Sequence, residues 1–191
     1  MGNAGDNTKD NTTNSKIVSD ELYLYSLKKM ADLNAKKNES ALTGLYGIKA
    51  FFYEANELMR NNSDKKFAVI RMDIYHFKTV NEFCGREEAD KLLKYISGLF
   101  CDYEGEFCVA GHFRADIFVL CTSFDDKQEL IDIVNSIRSR IDQYNIQCKV
   151  LPAFGICINH NNMDVSLMCD YADLAIKKIK GKVFKTYEFY D

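Results

Sequence analysis

The sequence has little of several features that define whole classes of protein. It contains no tryptophan, one proline and no run of lysine or arginine, and its 25 Lys and Arg against 28 Asp and Glu give a formal net charge of −3. Because nucleic-acid-binding domains concentrate basic residues on one face, the composition argues against a polynucleotide partner. No segment approaches the roughly 18 consecutive apolar residues that a membrane-spanning helix needs. The polar residues 1–16 lack the apolar core of a signal peptide.

Cysteine is present but not in the patterns that bind zinc or form a disulfide framework. The seven cysteines are odd in number and widely spaced, and no two of them form a Cys-x-x-Cys pair. Most lie in apolar stretches, where a thiol packs as a small hydrophobic group. Secreted chains of this size use paired cysteines, and zinc sites use clustered ones. We therefore expect a reduced, cytoplasmic protein without a zinc site.

Three regions follow from the distribution of polar and apolar residues. Residues 1–18 are rich in Asn, Asp and Thr, which is typical of a disordered leader. Residues 19–39 predict a linker helix, because apolar residues recur there at helical spacing. Such a helix could pack on the domain or pair with its counterpart in a second copy of the chain. Residues 40–191 predict one folded domain.

Strands and helices alternate along the folded domain. The pattern predicts helices over 48–61, 87–103, 126–143 and 165–180, strands over 67–75, 106–113, 117–122, 148–158 and 182–190, and a short turn or helix over 77–83. The strands at 106–113 and 117–122 are close enough to form a tight hairpin. A βαββαβ core of this kind is the ferredoxin-like arrangement. We therefore predict an α+β fold (an α/β sandwich), with a mainly antiparallel central sheet flanked by helices.

Asp73 is the first candidate for chemistry. It lies at the end of a predicted strand that is apolar on both faces, and a turn follows at once. Open sheets hold ligands at the carboxyl ends of their strands, and a hard cation such as Mg²⁺ binds carboxylate and carbonyl oxygens. The position therefore favours a metal site. The alternative is that Asp73 only caps the turn.

Five motifs in the right order resemble those of the GGDEF (diguanylate cyclase) family, over about residue 40 to the C-terminus. Residues 73–82 resemble the family's D-[IL]-D-x-F-K-x-[IV]-N-[DE] run, with Tyr75 at the second acid. Residues 40–45 resemble its D-x-L-T-G-L entry, with Ser40 in place of the acid. The other three correspond to G-x-x-x-[GA]-D, S-[IV]-G-[IV] and A-D-x-A-L-Y, at 85–90, 154–156 and 172–175. The resemblance implies the family's palm fold, which is shared with nucleotidyl cyclases.

The resemblance also implies roles for individual residues. Asp73 and the backbone carbonyl of Ile74 would bind Mg²⁺ together with Asp116. Asn81 and Asp90 would hydrogen-bond the guanine base of GTP, because an amide and a carboxylate satisfy a base edge that offers donors and acceptors. Phe77 would also line the nucleotide site. Lysines facing the phosphates would be Lys78 and Lys180, with Lys182 near the position of the family's phosphate-binding arginine. The alternative for each lysine is a solvated surface charge.

The signature hairpin departs from the family pattern. Arg114-Ala115-Asp116-Ile117-Phe118 lies where the family has G-G-[DE]-E-F. The third-position acid is kept as Asp116, whereas the fourth has become Ile117, which can neither bind metal nor take a proton. Arg114 and Ala115 replace two glycines, whose freedom of φ allows close backbone approach to a ligand. Losing one metal-placing or charge-stabilising contact typically costs about 10²–10³ in rate, so we expect little or no catalysis. Arg114 could instead pair with a triphosphate, or point to solvent.

Two further departures concern positions before the signature. The family's R-x-x-D product site corresponds to Gly105 and Cys108, so product inhibition there is not expected. His112 corresponds to the arginine that usually precedes the signature, and we expect a structural role for it.

Three functional hypotheses remain open at this stage. The first is a degenerate GGDEF domain of c-di-GMP signalling that binds GTP with Mg²⁺ or relays a signal, with little or no turnover. The second is an active diguanylate cyclase, which needs two domains facing each other and therefore a homodimer. The third is a structural interaction module without a ligand. The family resemblance also implies a possible downstream EAL phosphodiesterase domain as partner.

Overall fold

This computed structural model describes residues 40–182 and 185–190. The leader at 1–18 and the linker helix at 19–39 lie outside the described residues, so both stay predictions. Within the described part of the chain, no helix is both long and apolar enough to cross a membrane.

The described residues contain five helices and five strands, joined by turns and loops. The helices are α1 (Ile48–Asn61), α2 (Phe77–Cys84), α3 (Arg86–Cys101), α4 (Lys127–Asp142) and α5 (Val165–Ile179). The strands are β1 (Phe67–Ile74), β2 (Cys108–Arg114), β3 (Ile117–Ser123), β4 (Pro152–Ile158) and β5 (Tyr187–Phe189). The order β1, α2–α3, β2, β3, α4, β4 is the βαββαβ core that the sequence predicts.

One five-stranded sheet has the order β2-β3-β1-β4-β5. The first three pairings are antiparallel, and only β5 runs parallel to its neighbour β4. The predicted α+β fold with a mainly antiparallel sheet is therefore confirmed. The central strand β1 pairs with β3 and β4, and its sequence is apolar on both faces because helices cover both faces of the sheet.

The sheet lies between two apolar layers. Alternate residues of β1 (Ala68, Ile70 and Met72) pack with α3 and α4, in a cluster that includes Leu92, Ile96, Leu130 and Val134. On the opposite face of β1, Phe67 and Val69 pack with α1 and α5, in a cluster that includes Phe51, Ala55, Met168 and Ala172. Successive side chains of a strand point to opposite faces, so Arg71 and Asp73 lie on the face covered by α1 and α5.

Asp126 and Glu129 have the spacing of a capping box in the sequence, and they form one at the start of α4. The backbone N–H of Gln128 donates to the Asp126 carboxylate at 3.1 Å, and the backbone N–H of Asp126 donates to the Glu129 carboxylate at 3.3 Å. These bonds satisfy backbone donors that have no partner inside the helix. Asp164 caps α5 in the same way by accepting from the backbone N–H of Ser166 at 2.8 Å.

The fourth strand is shorter than predicted. The expectation was 148–158, but β4 begins at Pro152, and residues 148–151 belong to the connection from α4. The reason is that β1 pairs with β4 only as far as Ile74 opposite Pro152. The chain then turns at His76, whose φ of 57° is left-handed, so no partner strand remains. Proline at the first residue of a strand removes no ladder hydrogen bond from its interior.

Other bounds differ by a few residues. The last strand was predicted over 182–190; β5 covers three residues and pairs with 154–156, while residues 183 and 184 are not described. The segment 77–83, left open as a turn or helix, is the helix α2. Helix ends and strand ends shift by one to two residues elsewhere, which is the usual scatter at frayed termini.

Gly155 offers a test of the contact between β4 and α5. A Cβ at this position would lie 1.9 Å from the carbonyl oxygen of Ala172. We expect Gly155→Ala to lower the Tm by roughly 3–10 °C, since such overpacking costs about 1–3 kcal/mol. Gly98→Ala is the matched control, because Gly98 is exposed in α3 with nothing within 4 Å of its would-be Cβ, and alanine favours a helix. Thermal unfolding in which Gly155→Ala is as stable as the parent would contradict this packing.

Candidate functional site

Asp73 is the last polar residue of β1 and is placed by the pairing on both sides. Its cross-strand neighbours are Ile117 of β3 and Ala153 of β4. Residues directly opposite each other in an antiparallel pair share a face of the sheet. Ile117, at the fourth signature position, therefore lies beside Asp73, and its side chain packs against the cluster formed by α1 and α5.

Asp116, one residue before β3, brings a second carboxyl to the same place. The pKa of Asp73 is raised above its ordinary value, first by burial and then by the negative charge of Asp116, whose side chain also interacts with it directly. Two carboxylates that approach this closely disfavour each other's ionised form. The predicted pair of acids, from the end of β1 and the start of β3, is therefore brought together.

Two cationic side chains partly offset the rise in the pKa of Asp73. Arg71 and Lys180 both lower the pKa of Asp73 without outweighing burial and Asp116. Arg71 is also ion-paired with Asp173 of α5 at 3.2 Å. Lys180, which follows α5 directly, thus lies close enough to the acids for its charge to act on Asp73.

Two polar atoms beside the acids are buried without a hydrogen-bond partner, the Nε of Arg71 and the hydroxyl of Tyr75. These are the only such side-chain atoms among the described residues. The pKa of Tyr75 is raised by burial and by the charge of Asp73. Buried polar groups are normally paired, so both atoms mark a place where a ligand group or water would be accommodated.

The residues at this place suit a magnesium ion. Mg²⁺ is typically held by one or two carboxylates, with substrate phosphates and waters completing its octahedron. Asp73 and Asp116 supply the two carboxylates; burial and the charge of Asp116 raise the pKa of Asp73, so a nearby cation would favour the ionised pair. No group of three or more His, Cys, Asp or Glu side chains arranged for metal binding occurs in the described ranges. The fit is therefore to a metal that arrives with a ligand rather than to a closed protein cage.

The proposed base-binding residues lie on α2 and α3. Asn81 and Asp90 are both half-buried, and the amide N–H of Asn81 donates to the backbone carbonyl of Phe77 at 3.3 Å. The side chain of Phe77 is buried in the core, so only its backbone is available to a nucleotide. The side chain of Lys78 is 89% exposed and ion-paired with Glu82 at 3.6 Å, which also fits the alternative of a surface charge.

Arg114 and Ala115 are exposed at the tip of the β2–β3 hairpin. The register shifts between His112 and Arg114, which is a bulge at the rim of the sheet. Arg114 lines an open cleft of about 580 Å³ between the hairpin and the entry segment, with Ser40, Lys49 and other residues of that segment. The Arg114 side chain is therefore free to reach an anionic ligand.

His112 joins the hairpin to the entry segment. Its Nδ1 lies 3.0 Å from the hydroxyl of Ser40 and 3.1 Å from that of Thr43, and its ring stacks on Phe118 at 4.4 Å between centroids. Burial lowers the pKa of His112, so the ring stays neutral and suits hydroxyl partners. Two departures from the family pattern, Ser40 for an acid and His112 for an arginine, thus meet in one contact.

The two positions of the family's product site also meet. Gly105 and Cys108 exchange backbone hydrogen bonds of 3.3 Å in both directions. Cys108 is buried. Neither residue offers a charged side chain to a phosphate.

The comparisons with known proteins decide the family. Residues 39–185 match the family described as Diguanylate cyclase, GGDEF domain. The chain belongs to the GGDEF family. This confirms the resemblance drawn from the five motifs, and the matched range includes Asp73, the α2–α3 corner and the hairpin.

Two curated proteins that resemble this chain are described as uncharacterized. YhcK of Bacillus subtilis is 41% identical over 58 residues, which cover 29% of this chain and 16% of that protein. SERP0413 of Staphylococcus epidermidis, described as a membrane protein, is 26% identical over 159 residues, which cover 80% of this chain and 42% of that protein. The chain therefore spans less than half the length of these relatives.

Solved GGDEF structures share the fold at low sequence identity. The coiled coil and GGDEF domain of DgcB from Caulobacter crescentus, in complex with c-di-GMP, has a TM-score of 0.74 at 14% identity over 93% of this chain and 99% of that one. The S helix-GGDEF-EAL portion of LapD from Vibrio cholerae, bound to c-di-GMP, has a TM-score of 0.69 at 15% identity over 87% of this chain and 40% of that one.

Sequence reasoning missed Arg71 as part of this site. The sequence does contain a sign of its role: Arg71 lies in an otherwise mostly apolar strand, and a buried arginine needs an anionic partner. Its partner is Asp173, which lies in α5 within the segment 172–175 that resembles the A-D-x-A-L-Y motif.

Replacing Asp73 tests the electrostatics of the acid pair. The folded-state pKa is raised, so the ionised carboxylate weakens folding as pH rises through that pKa. Asp73→Asn should therefore raise the Tm at pH 7 by roughly 1–4 °C, and the gain should shrink toward pH 3.

Added Mg²⁺ supplies the second half of this test. Millimolar Mg²⁺ with GTP should raise the Tm of the parent more than that of Asp73→Asn. Asp64→Asn, in an exposed turn, is the control and should behave as the parent. Thermal melts in which Asp73→Asn is destabilised at every pH would refute the charge balance described for the pair.

Proposed function

We propose that this GGDEF domain binds GTP with Mg²⁺ and serves c-di-GMP signalling as a nucleotide-binding or signal-relaying domain with little or no cyclase activity. Family membership supports the ligand class. The pair Asp73 and Asp116 supports a metal–triphosphate site, and the side chains around the pair oppose turnover.

One observation carries the loss of catalysis. Ile117 is directly opposite Asp73 in the β1–β3 register and packs against apolar side chains of the α1/α5 face. An acid at this position would face the other two carboxylates, whereas isoleucine offers neither a metal ligand nor a proton acceptor. Catalysis of phosphoryl transfer depends almost entirely on positioning and charge stabilisation, so this replacement removes part of the only machinery available.

Magnesium, when bound, would gather the charge of the triphosphate. Asp73, Asp116 and the backbone carbonyl of Ile74 are the groups proposed to hold it. Lys180 is proposed to face the phosphates, because its charge already reaches Asp73. Lys78 and Lys182 are exposed and are proposed only as peripheral contributors to the same anion.

Asn81 and Asp90 are proposed to hydrogen-bond the guanine base of GTP, and Phe77 would contribute through its backbone. Arg114 is proposed to add a charge to the triphosphate from the open hairpin tip. Its length replaces the close backbone approach that glycine permits, which favours binding over the alignment needed for attack.

Partners are proposed from the family and from the length of the relatives. Because the chain spans less than half of the curated relatives, a neighbouring domain is expected, and an EAL phosphodiesterase domain is one candidate. A homodimer through the 19–39 segment is the arrangement that a cyclase would need. The cytoplasm is the proposed location, which agrees with the unpaired cysteines of the sequence.

An active diguanylate cyclase is the second candidate function. The observation in its favour is that the acid pair itself is intact, with Asp73 and Asp116 in direct interaction. It predicts c-di-GMP formation from GTP, which the first proposal does not.

Calorimetric titration separates binding from an empty module. We expect GTP to bind in an Mg²⁺-dependent manner and ATP to bind at least about tenfold more weakly, since an unmatched base edge costs on the order of 1.4 kcal/mol or more. Asp90→Asn should erase that preference, and Asp102→Asn, exposed at the far end of α3, should keep it. Equal affinity for both nucleotides would contradict the proposed reading of the base.

Product analysis tests the catalytic part. Chromatography after incubation with GTP and Mg²⁺ should show c-di-GMP at a level at least about 10²-fold below an intact GGDEF domain. Restoring the signature with Arg114→Gly, Ala115→Gly and Ile117→Glu together should raise product formation by about 10²-fold or more. Vigorous synthesis by the unaltered chain would favour the second candidate function.

A further inference from the structure

Two cysteines distant in sequence are in contact outside the nucleotide site. The Sγ atoms of Cys84 and Cys148 are 2.9 Å apart, although the residues are 64 positions apart in the chain. Cys84 is the last residue of α2, and Cys148 lies in the connection between α4 and β4. Both side chains are half-buried at the edge of the core.

The other cysteines are placed differently. Cys108, Cys121, Cys157 and Cys169 are buried. Burial raises the pKa of the Cys108 and Cys157 thiols to about 11 and that of Cys169 to about 12. These four thiols are shielded from solvent, so an oxidant does not reach them in the folded protein. Cys101 is exposed, but no other cysteine sulfur is in hydrogen-bonding contact with it in the described residues.

Small molecules can reach the contacting pair from two sides. Cys84 lines a cleft of about 320 Å³ with Glu88 and the segment 145–147. Cys148 lines another cleft of about 380 Å³, which runs along the connection toward Pro152. An oxidant the size of a peroxide therefore needs no unfolding to reach either sulfur.

We propose that Cys84 and Cys148 are an oxidation site, at which a peroxide converts the two thiols into a reversible disulfide. A disulfide needs an S–S distance of about 2.05 Å, so the sulfurs must close by roughly 0.9 Å, a distance that side-chain rotation at two half-buried residues can supply.

The chemistry proceeds in two balanced steps. The sulfur of Cys84 gives up its proton and attacks one peroxide oxygen; an S–O bond forms, the O–O bond breaks, and the hydroxide that leaves takes up that proton as water, giving a sulfenic acid. The sulfur of Cys148 then attacks the sulfenic sulfur; the S–S bond forms, the S–O bond breaks, and the proton of Cys148 leaves with the hydroxyl as water. Both sulfurs are oxidised, and the peroxide is reduced to water.

The order of attack follows from the environment of the two sulfurs. Burial and the adjacent Cys84 sulfur raise the pKa of the Cys148 thiol to about 11. Cys148 therefore keeps its proton until it attacks the sulfenic sulfur, and it acts second as the resolving thiol.

The bridge would fix one corner of the fold. Cys84 directly precedes Gly85, which has a φ of 82° and both ends α2 and begins α3. A disulfide would tie this corner to the adjacent connection before β4. Asn81 lies within the last turn of α2, so the bridge would restrain a proposed guanine contact, and that consequence alone rests on the proposed function.

The test is peptide mapping of the full chain after hydrogen peroxide. Free thiols are alkylated, and the chain is digested and analysed by mass spectrometry without reduction. We expect one cross-linked peptide pair containing Cys84 and Cys148, lighter by two hydrogen atoms than the free pair. We also expect a Tm higher by roughly 10 °C that returns on adding dithiothreitol, because closing a long loop constrains the unfolded chain.

Matched variants assign the effect. Cys84→Ser and Cys148→Ser should each lose the rise in Tm, and Cys101→Ser should keep it. If peroxide leaves Cys84 and Cys148 as thiols, oxidises them separately to sulfinic acids, or links either one to a different cysteine, the proposal is wrong. None of these readouts requires nucleotide, so failure to bind GTP leaves this result unaffected.

Discussion

The antiparallel pairing of β1 with β3 places Ile117 opposite Asp73 and brings Asp116, one residue earlier, beside the same carboxyl. A slip of one residue would turn Asp73 toward α3 and α4 and carry the apolar set of β1 to the wrong face. The register is held by burial on both faces, through Ile70 and Met72 on one side and Val69 on the other. The chemistry available at the hairpin therefore depends on how the core of the sheet packs.

Acidic and basic side chains meet where β1 ends and β3 begins, and together they set the charge of the site. Two carboxylates are set against two cations, Arg71 and Lys180, and Asp73 still has a raised pKa. Arg71 is partly committed to Asp173. Burial is the first cause of the raised pKa of Asp73, so a divalent ion brought by an anionic ligand would favour the ionised form of the two acids. Ile117, opposite Asp73 in the β1–β3 register, adds an apolar side chain to this junction.

The sequence allowed the fold and the acid pair to be predicted for physical reasons that are local. Alternation of strands and helices, the capping box at Asp126 and the ordered motifs all act over a few residues. The start of β4 was wrong because it depends on where β1 turns at His76, which no local pattern of 148–158 encodes. The contact of Cys84 with Cys148 and the joining of His112 to Ser40 needed the tertiary structure, since each pair is more than 60 positions apart.

A crystal structure of the full chain grown with a non-hydrolysable GTP analogue and Mg²⁺ would test the central claim most directly. The account predicts a metal ion between the carboxylates of Asp73 and Asp116, with the guanine against Asn81 and Asp90 and the side chain of Arg114 on the triphosphate. A nucleotide bound elsewhere, or a triphosphate in the hairpin whose metal contacts neither carboxylate, would contradict it.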